Sequence, residues 1–172
     1  MSDSASDLVS ASAKEARCLA ERAKVAQTHL AEITQLQIDV IVDAMAESAA
    51  LEAKPLAAMA VEETGYGVVE DKVRKNLFAA EDIHRFIQPM KTVGVIQRHD
   101  DRRVIDIAEP FGVVAAIVPS TNPTSTAIYK ILIALKARCA IVISPHPGAV
   151  RCITRTAEIM ATAAQNAGAP EH

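Results

Sequence analysis

Aromatic side chains are scarce in this chain of 172 residues, which has two tyrosines, three phenylalanines and no tryptophan. Half of the residues are hydrophobic all the same, so a core has to be assembled from alanine, valine, isoleucine and leucine. At this length one domain can hold such a core. An excess of one charge is missing too. With a net charge of −3 and scattered lysines and arginines, the chain offers no basic face for nucleic acid or an anionic membrane. Residues 100–103, Asp-Asp-Arg-Arg, alternate by pairs as a solvated turn does. No apolar stretch reaches the roughly 20 residues of a membrane span. The three cysteines, Cys18, Cys139 and Cys152, form neither a CxxC pair nor a metal-ligand spacing, and His29, His84, His99 and His172 add no ligand set. No metal is expected. An odd cysteine count, together with a start that has neither the basic nor the apolar region of a signal peptide, points to a reducing, cytoplasmic setting. The few glycines never form GxGxxG, so no dinucleotide site is announced by glycine pattern. Repeats and linkers are absent as well.

What is present begins with helical spacing over residues 6–51. Leu8, Ser12, Ala16, Leu19, Ala20, Ala23, Gln27 and Leu30 share one face, and Ile33, Leu36, Val40, Ile41 and Ala44 continue the period past a break near Ala31 and Glu32. Pro55 suits the first turn of another helix, which Gly65 and Gly67 close. Val69, Val73, Leu77, Ala80, His84 and Ile87 then keep helical spacing up to Pro89. The character changes at residue 92. Two β-prone segments, 92–96 and 104–107, flank the charged residues 100–103 and predict a β-hairpin.

The most informative stretch is residues 109–149, EPFGVVAAIVPSTNPTSTAIYKILIALKARCAIVISPHPGA. Two short apolar runs, 112–118 and 140–144, are separated by a helical pattern over 124–138. Continuous apolar runs of this kind predict strands of a parallel sheet buried on both faces, and the spacing leaves room for the crossover helix that a parallel pair requires. A last helix is predicted over 149–167, stopped by Gly168 and Pro170. The fold class is therefore α/β, and both Pro-rich loops fall at the carboxyl ends of strands, where open α/β sheets bind ligands. Two parallel strands leave an unpaired edge, so the unit reads as structurally unfinished where residue 172 ends.

EPFGVVAAIVPSTNP followed by SPHPGA resembles the CoA-acylating branch of the aldehyde dehydrogenase superfamily, which makes acyl-CoA from acetaldehyde, sulfoacetaldehyde or succinate semialdehyde. The helical start and Glu63-Thr64-Gly65 also fit, and the resemblance is to the N-terminal portion only. It implies a helical N-terminal part (1–91), a β-hairpin oligomerisation arm (92–108) and an incomplete Rossmann-like cofactor-binding domain (109–172). It also implies a small aldehyde substrate, NAD or NADP as cofactor, CoA as co-substrate, and a homo-oligomer. Asn122 would then be the carboxamide donor to a carbonyl oxygen that gains charge, a role typically worth roughly 3 kcal/mol. Pro119, Ser120 and Thr121 would line the cofactor pocket together with Ser144, His146 and Pro147. The family's hydrolytic members often carry Lys-Pro-Ser-Glu where this chain has Ser144 to Pro147, so the carboxylate that discriminates against a 2′-phosphate is absent and NAD versus NADP stays open.

Each residue also has a plainer reading. Asn122 makes a turn before Pro123. The hydroxyls of Ser120, Thr121, Thr124, Ser125 and Thr126 cap a helix start, which also attracts phosphate. His146 is a turn histidine. Lys130 snorkels from its helix face. The cysteines pack as small hydrophobes, and none stands in the context of the family's nucleophile, which forms a thiohemiacetal and then a thioester that CoA accepts. That nucleophile belongs to a later domain, so the chain alone is expected to be inactive. The other class of reading is a non-catalytic assembly module derived from the family. A third is that the Ser/Ala-rich start is a targeting helix for a protein shell.

Overall fold

The computed structural model describes residues 3–171, with side-chain surroundings from Ser10 onward. Met1, Ser2 and His172, and the side chain of Leu8 on the expected face of the first helix, lie outside the described residues.

Helix α1 (Asp3–Leu30) gives way to α2 (Gln35–Leu51) through a turn over residues 31–34. The break needs neither glycine nor proline because Thr34 restarts the helix with a capping box. The Gln37 N–H donates to Thr34 Oγ1 at 3.3 Å, and the Thr34 N–H donates to Gln37 Oε1 at 2.9 Å, which satisfies two donors at the helix start. The restart resets the helical phase, and the expected face of α2 is corrected accordingly. Ile38, Ile41, Val42, Met45, Ala46 and Ala49 are buried, whereas Leu36 is 74% exposed and Val40 is exposed too. Among the described residues of α1, the last two turns bury their face through Ala23, Ala26, Gln27 and Leu30. Residues 10–22, including Ser12, Ala16, Leu19 and Ala20, are exposed.

Helix α3 (Ala53–Thr64) carries Pro55 in its first turn and stops at Gly65, whose φ of 69° is left-handed. Next come α4 (Val69–Leu77), one π-helical turn (Phe78–Asp82) and α5 (Ile83–Ile87). The sequence spacing treats this stretch as a uniform helix. The wider π turn inserts a residue into the period, and the buried positions are Lys72, Asn76, Ala79, Ala80 and Ile87. Strands β1 (Gly94–His99) and β2 (Val104–Ala108) form the expected antiparallel hairpin, with a register shift between Val95 and Gln97.

The βαβα unit is β3 (Val113–Val118), α6 (Pro123–Lys136), β4 (Ala140–Pro145) and α7 (Val150–Asn166), with a 3₁₀ turn (Pro147–Ala149) before α7. β3 and β4 pair in parallel from Val113↔Ala140 to Val118↔Pro145 and form a sheet separate from the hairpin. Burial on both faces, as the apolar runs predict, is not what β3 shows. Ala116 and Val118 are buried, while Ala115 is exposed and Ile117 is 76% exposed. A two-stranded sheet leaves part of its surface open.

Helical segment and βαβα unit share one core. Leu30, Ile41 and Met45 pack in the same cluster as Ile128, Ile131, Leu132 and Met160. Full burial of each such side chain stabilises by roughly 1.5–3 kcal/mol. Polar ties cross the same boundary. Gln35 Oε1 accepts from the N–H groups of Thr92 (2.7 Å) and Val93 (3.1 Å), and Thr92 Oγ1 donates to the Lys136 carbonyl at 2.5 Å. Lys136 Nζ donates to Asp39 Oδ1 at 2.6 Å and to the Gln88 carbonyl at 2.8 Å. Arg138 donates to the carbonyls of Ala31 and Ala108. Among the described residues no helix is long and apolar enough to cross a membrane.

Candidate functional site

The loops at the carboxyl ends of β3 and β4 lie side by side, because the His146 N–H continues the ladder by donating to the Val118 carbonyl at 2.9 Å. Pro119, Ser120, Thr121 and Asn122 therefore lie at the same end of the sheet as Ser144, His146 and Pro147. Pro119, Thr121, Ser144, His146 and Pro147 are exposed, and Ser120 and Asn122 are half-buried. The structure thus brings all seven expected site residues to one end of the sheet, six in the two adjoining connections and Ser144 at the end of strand β4 before them.

Helix α4 fixes the first of these loops with one face. Lys72 Nζ donates to the Thr121 carbonyl, Lys75 Nζ donates to Asn122 Oδ1 at 3.0 Å, and Asn76 Oδ1 accepts from Thr124 Oγ1 at 2.7 Å. Asn76 is itself anchored by its Nδ2, which donates to the Ala53 carbonyl at 2.9 Å. Residues three and four apart share a helix face, which is why 72, 75 and 76 meet 121, 122 and 124 together. Burial, with Lys75 alongside, holds the Lys72 ammonium below the usual lysine range. Gly67 makes room for it. At φ 78° a Cβ there would meet Lys72 Cε at 3.1 Å. Sequence reasoning missed Lys72, Lys75 and Asn76. The one visible signal is an asparagine inside a helical run, directly after Lys75 and before Leu77, at a position that is wholly buried.

These contacts also correct the expected capping of α6. Asn122 is the residue before the helix (φ −138°, ψ 62°), Pro123 fills the first turn, and no side chain caps the start. Thr124 has given its hydroxyl to Asn76, and Asn122 has given its oxygen to Lys75. Among the described residues Asn122 Nδ2 donates to no protein acceptor. Asn122 and Lys75 line a groove of about 340 Å³ together with Phe78, Ile83, Ser125 and Tyr129. Lys130 on α6 bends back to the sheet, its Nζ donating to the Ile117 carbonyl at 2.7 Å.

On the second loop, His146 Nδ1 accepts from the Gly148 N–H at 3.0 Å, the local turn expected of it, and leaves Nε2 toward solvent. The N-terminus of α7 is taken by Glu63, whose carboxylate accepts from the N–H groups of Arg151 and Cys152, both at 2.8 Å. Partial burial would raise this carboxyl, but the N–H groups of Cys152 and Arg151 outweigh it and hold Glu63 below its ordinary value of 4.5. A carboxylate whose pKa falls on folding stabilises the protein above its unfolded value, and that contribution is lost as pH falls through the folded value. Acid unfolding of Glu63→Gln should therefore be flatter than wild type below about pH 4.5, which a urea titration at several pH values reads directly.

The cysteines divide. Cys139 and Cys152 are buried, whereas Cys18 is exposed on α1, so packing as a small hydrophobe holds for two of the three. Burial, followed by the Glu63 carboxylate, pushes the Cys152 thiol up to about 12. The thiolate is the reactive form. Iodoacetamide at neutral pH should thus label Cys18 alone in the native chain, and a second modified cysteine in the mass spectrum would contradict the packing. Among the described residues no three His, Cys, Asp or Glu side chains converge as a metal site would need.

The model of the aldehyde dehydrogenase family matches residues 3–172. The bifunctional aldehyde-alcohol dehydrogenase AdhE of Escherichia coli (strain K12) is 51% identical over 157 residues, covering 91% of this chain and 18% of that protein. The acetylating aldehyde dehydrogenase from Geobacillus thermoglucosidasius superposes with a TM-score of 0.90 at 57% identity, over 92% of this chain and 35% of its own. The propionaldehyde dehydrogenase of Rhodopseudomonas palustris with bound propionyl-CoA gives a TM-score of 0.76 at 29% identity, over 90% of this chain and 34% of its own. The chain thus spans about a third or less of the length of these relatives. It belongs to the aldehyde dehydrogenase family, within the CoA-acylating branch, and corresponds to the N-terminal portion of such enzymes.

Proposed function

We propose that this chain supplies the oxyanion-binding carboxamide and one wall of the cofactor crevice to an enzyme that converts an aldehyde, CoA and NAD(P) to acyl-CoA and NAD(P)H. The observation that carries the reading is Asn122. Its oxygen is held by Lys75 at 3.0 Å, its Nδ2 is uncommitted, and it lines a groove together with Phe78, Ile83 and Tyr129. Nucleophilic attack on an aldehyde carbonyl builds negative charge on oxygen, and a positioned N–H donor lowers the barrier to that step. The groove is of a size for a small aldehyde, with Phe78, Ile83 and Tyr129 against its carbon chain.

The residues at the sheet edge fit a nicotinamide dinucleotide in part. Ser120, Thr121 and Ser144 offer hydroxyls, Pro119 and Pro147 offer apolar walls, and His146 Nε2 is a further polar contact. The pyrophosphate would have to lie elsewhere than on α7, because Glu63 already occupies those N–H groups. Bound there, the dinucleotide supplies the hydride acceptor. The thiolate nucleophile comes from outside this chain, since two of its cysteines are buried and the third lies on the solvent-exposed part of α1. CoA then takes the acyl group from that cysteine. On this reading the chain works in the cytoplasm as part of a homo-oligomer, with the hairpin β1–β2 as the joining arm.

The purified 172-residue chain should form no NADH from acetaldehyde, propionaldehyde or succinate semialdehyde with CoA and NAD or NADP. The same chain joined to the remaining two thirds of the Geobacillus acetylating enzyme should turn over. Turnover by the chain alone would overturn this division of labour.

A further inference from the structure

Resting on the reading of Asn122 as the oxyanion donor, we propose that Lys75 is a positioning residue that sets which end of the Asn122 carboxamide faces the substrate. A carboxamide is nearly symmetric in shape and has an acceptor oxygen on one side and two donors on the other. Nothing in its size tells the groove which end to present. An ammonium has three donors and no acceptor, so Lys75 Nζ at 3.0 Å from the side chain bonds only to Oδ1. With Oδ1 so committed, Nδ2 is turned to the opposite edge of the carboxamide. There it meets no protein acceptor among the described residues and is left for a developing oxyanion.

Two features make Lys75 effective despite its exposure. The backbones it connects are already fixed to one another. Lys72 on the same helix face holds the Thr121 carbonyl, and Asn76 holds the Thr124 hydroxyl at 2.7 Å. Only side-chain torsions of Lys75 and Asn122 remain to be ordered. Secondly, the ammonium withdraws electron density through Oδ1, and hydrogen bonds polarised in this way strengthen one another. The Nδ2–H is thereby a stronger donor toward negative charge than an amide solvated by water. Lys72 differs in kind, because it reaches a backbone carbonyl and no group that contacts substrate.

The test is a double-mutant cycle in this chain joined to the remainder of the Geobacillus enzyme. Lys75→Met keeps the aliphatic stem and removes the donor. It should lower kcat about tenfold, a fraction of the loss from deleting an oxyanion donor outright, with the KM for aldehyde changed less than about twofold. Lys75→Arg, still a donor only, should recover most of kcat. In the Asn122→Ala background Lys75→Met should change kcat less than about twofold, since the group it acts through is gone. A rise in KM at constant kcat would overturn the proposal in favour of simple substrate binding. Equal losses in both backgrounds would overturn it as well. If Asn122→Ala itself left kcat unchanged, the oxyanion reading would fail and this inference with it. Independently of turnover, the Asn122 side-chain amide of the 172-residue chain should show a heteronuclear NOE near backbone values in wild type and Lys75→Arg, and a reduced one in Lys75→Met. Identical values in all three would show that Lys75 does not orient the carboxamide.

Discussion

Replacing Asn122 by alanine in the joined, catalytically complete protein is expected to lower kcat by about 10²-fold or more, the effect of removing one preorganised oxyanion donor. The loss should fall on kcat and on kcat/KM alike, because the contact strengthens only as charge develops on the carbonyl oxygen. Stability should change little. The Lys75 bond is a surface one, and the loop retains the Lys72–Thr121 and Asn76–Thr124 contacts. The α6 start loses no cap, since Asn122 makes none. Asn122→Asp separates charge from shape. It keeps the acceptor for Lys75 and places a carboxylate where the oxyanion forms, so it should be at least as inactive as alanine. Single-turnover measurement of NADH formation reads both variants, and full activity in Asn122→Ala would assign the residue to the turn before Pro123 and nothing more.

The largest stability effect is expected at Asp39. Lys136 is 4% exposed, and its ammonium has two partners, Asp39 Oδ1 at 2.6 Å and the Gln88 carbonyl at 2.8 Å. Removing one member of a buried pair leaves the other charge uncompensated, at a cost of about 3–5 kcal/mol. Asp39 itself is partly open to water, so a value near the lower end, about 3 kcal/mol, is expected for Asp39→Ala. Asp39 also accepts from Gln35 Nε2 at 2.8 Å, and Gln35 anchors the chain entering the hairpin. Lys136→Met removes the charge along with its need for a partner and should cost clearly less than Asp39→Ala. Urea unfolding of both variants decides the order, and a smaller loss in Asp39→Ala than in Lys136→Met would refute the argument.

Element boundaries in the second half were legible because apolar runs and stop signals coincide there. The runs at 112–118 and 140–144 became Val113–Val118 and Ala140–Pro145, and the final helix ended before Gly168 as Gly168 and Pro170 imply. Helix faces were less legible. The phase of α2 is set by the Thr34–Gln37 capping box, a four-residue signal that stands in the sequence as Thr-x-x-Gln. The exposed residues 10–22 of α1 carry the same small-residue period as its packed last turns, so period alone says nothing about which turns are buried. The site was half legible. Residues in the two loops follow from the strands that end there. The α4 side chains that hold them do not, because Lys75 and Asn122 lie 47 positions apart, and a periodicity argument assigns a lysine to solvent by default. Buried Lys72, Lys136 and Arg138 escape sequence reading for the same reason.

Arg138 has a consequence for synthesis on the ribosome. Its guanidinium joins the carbonyl of Ala31, 107 positions earlier, to that of Ala108, 30 positions earlier. The helices translated first have their apolar faces matched to Ile128, Ile131, Leu132 and Met160. While the first hundred residues emerge, those faces can close only against one another, and the hairpin is tied down only at its start, through Gln35. Closure of such long loops is what slows folding. Docking therefore waits until α6 has left the exit tunnel, and completion of the shared core waits for α7. A nascent chain stalled before residue 138 should be open to protease in its helices, and one stalled well beyond α7 should be protected.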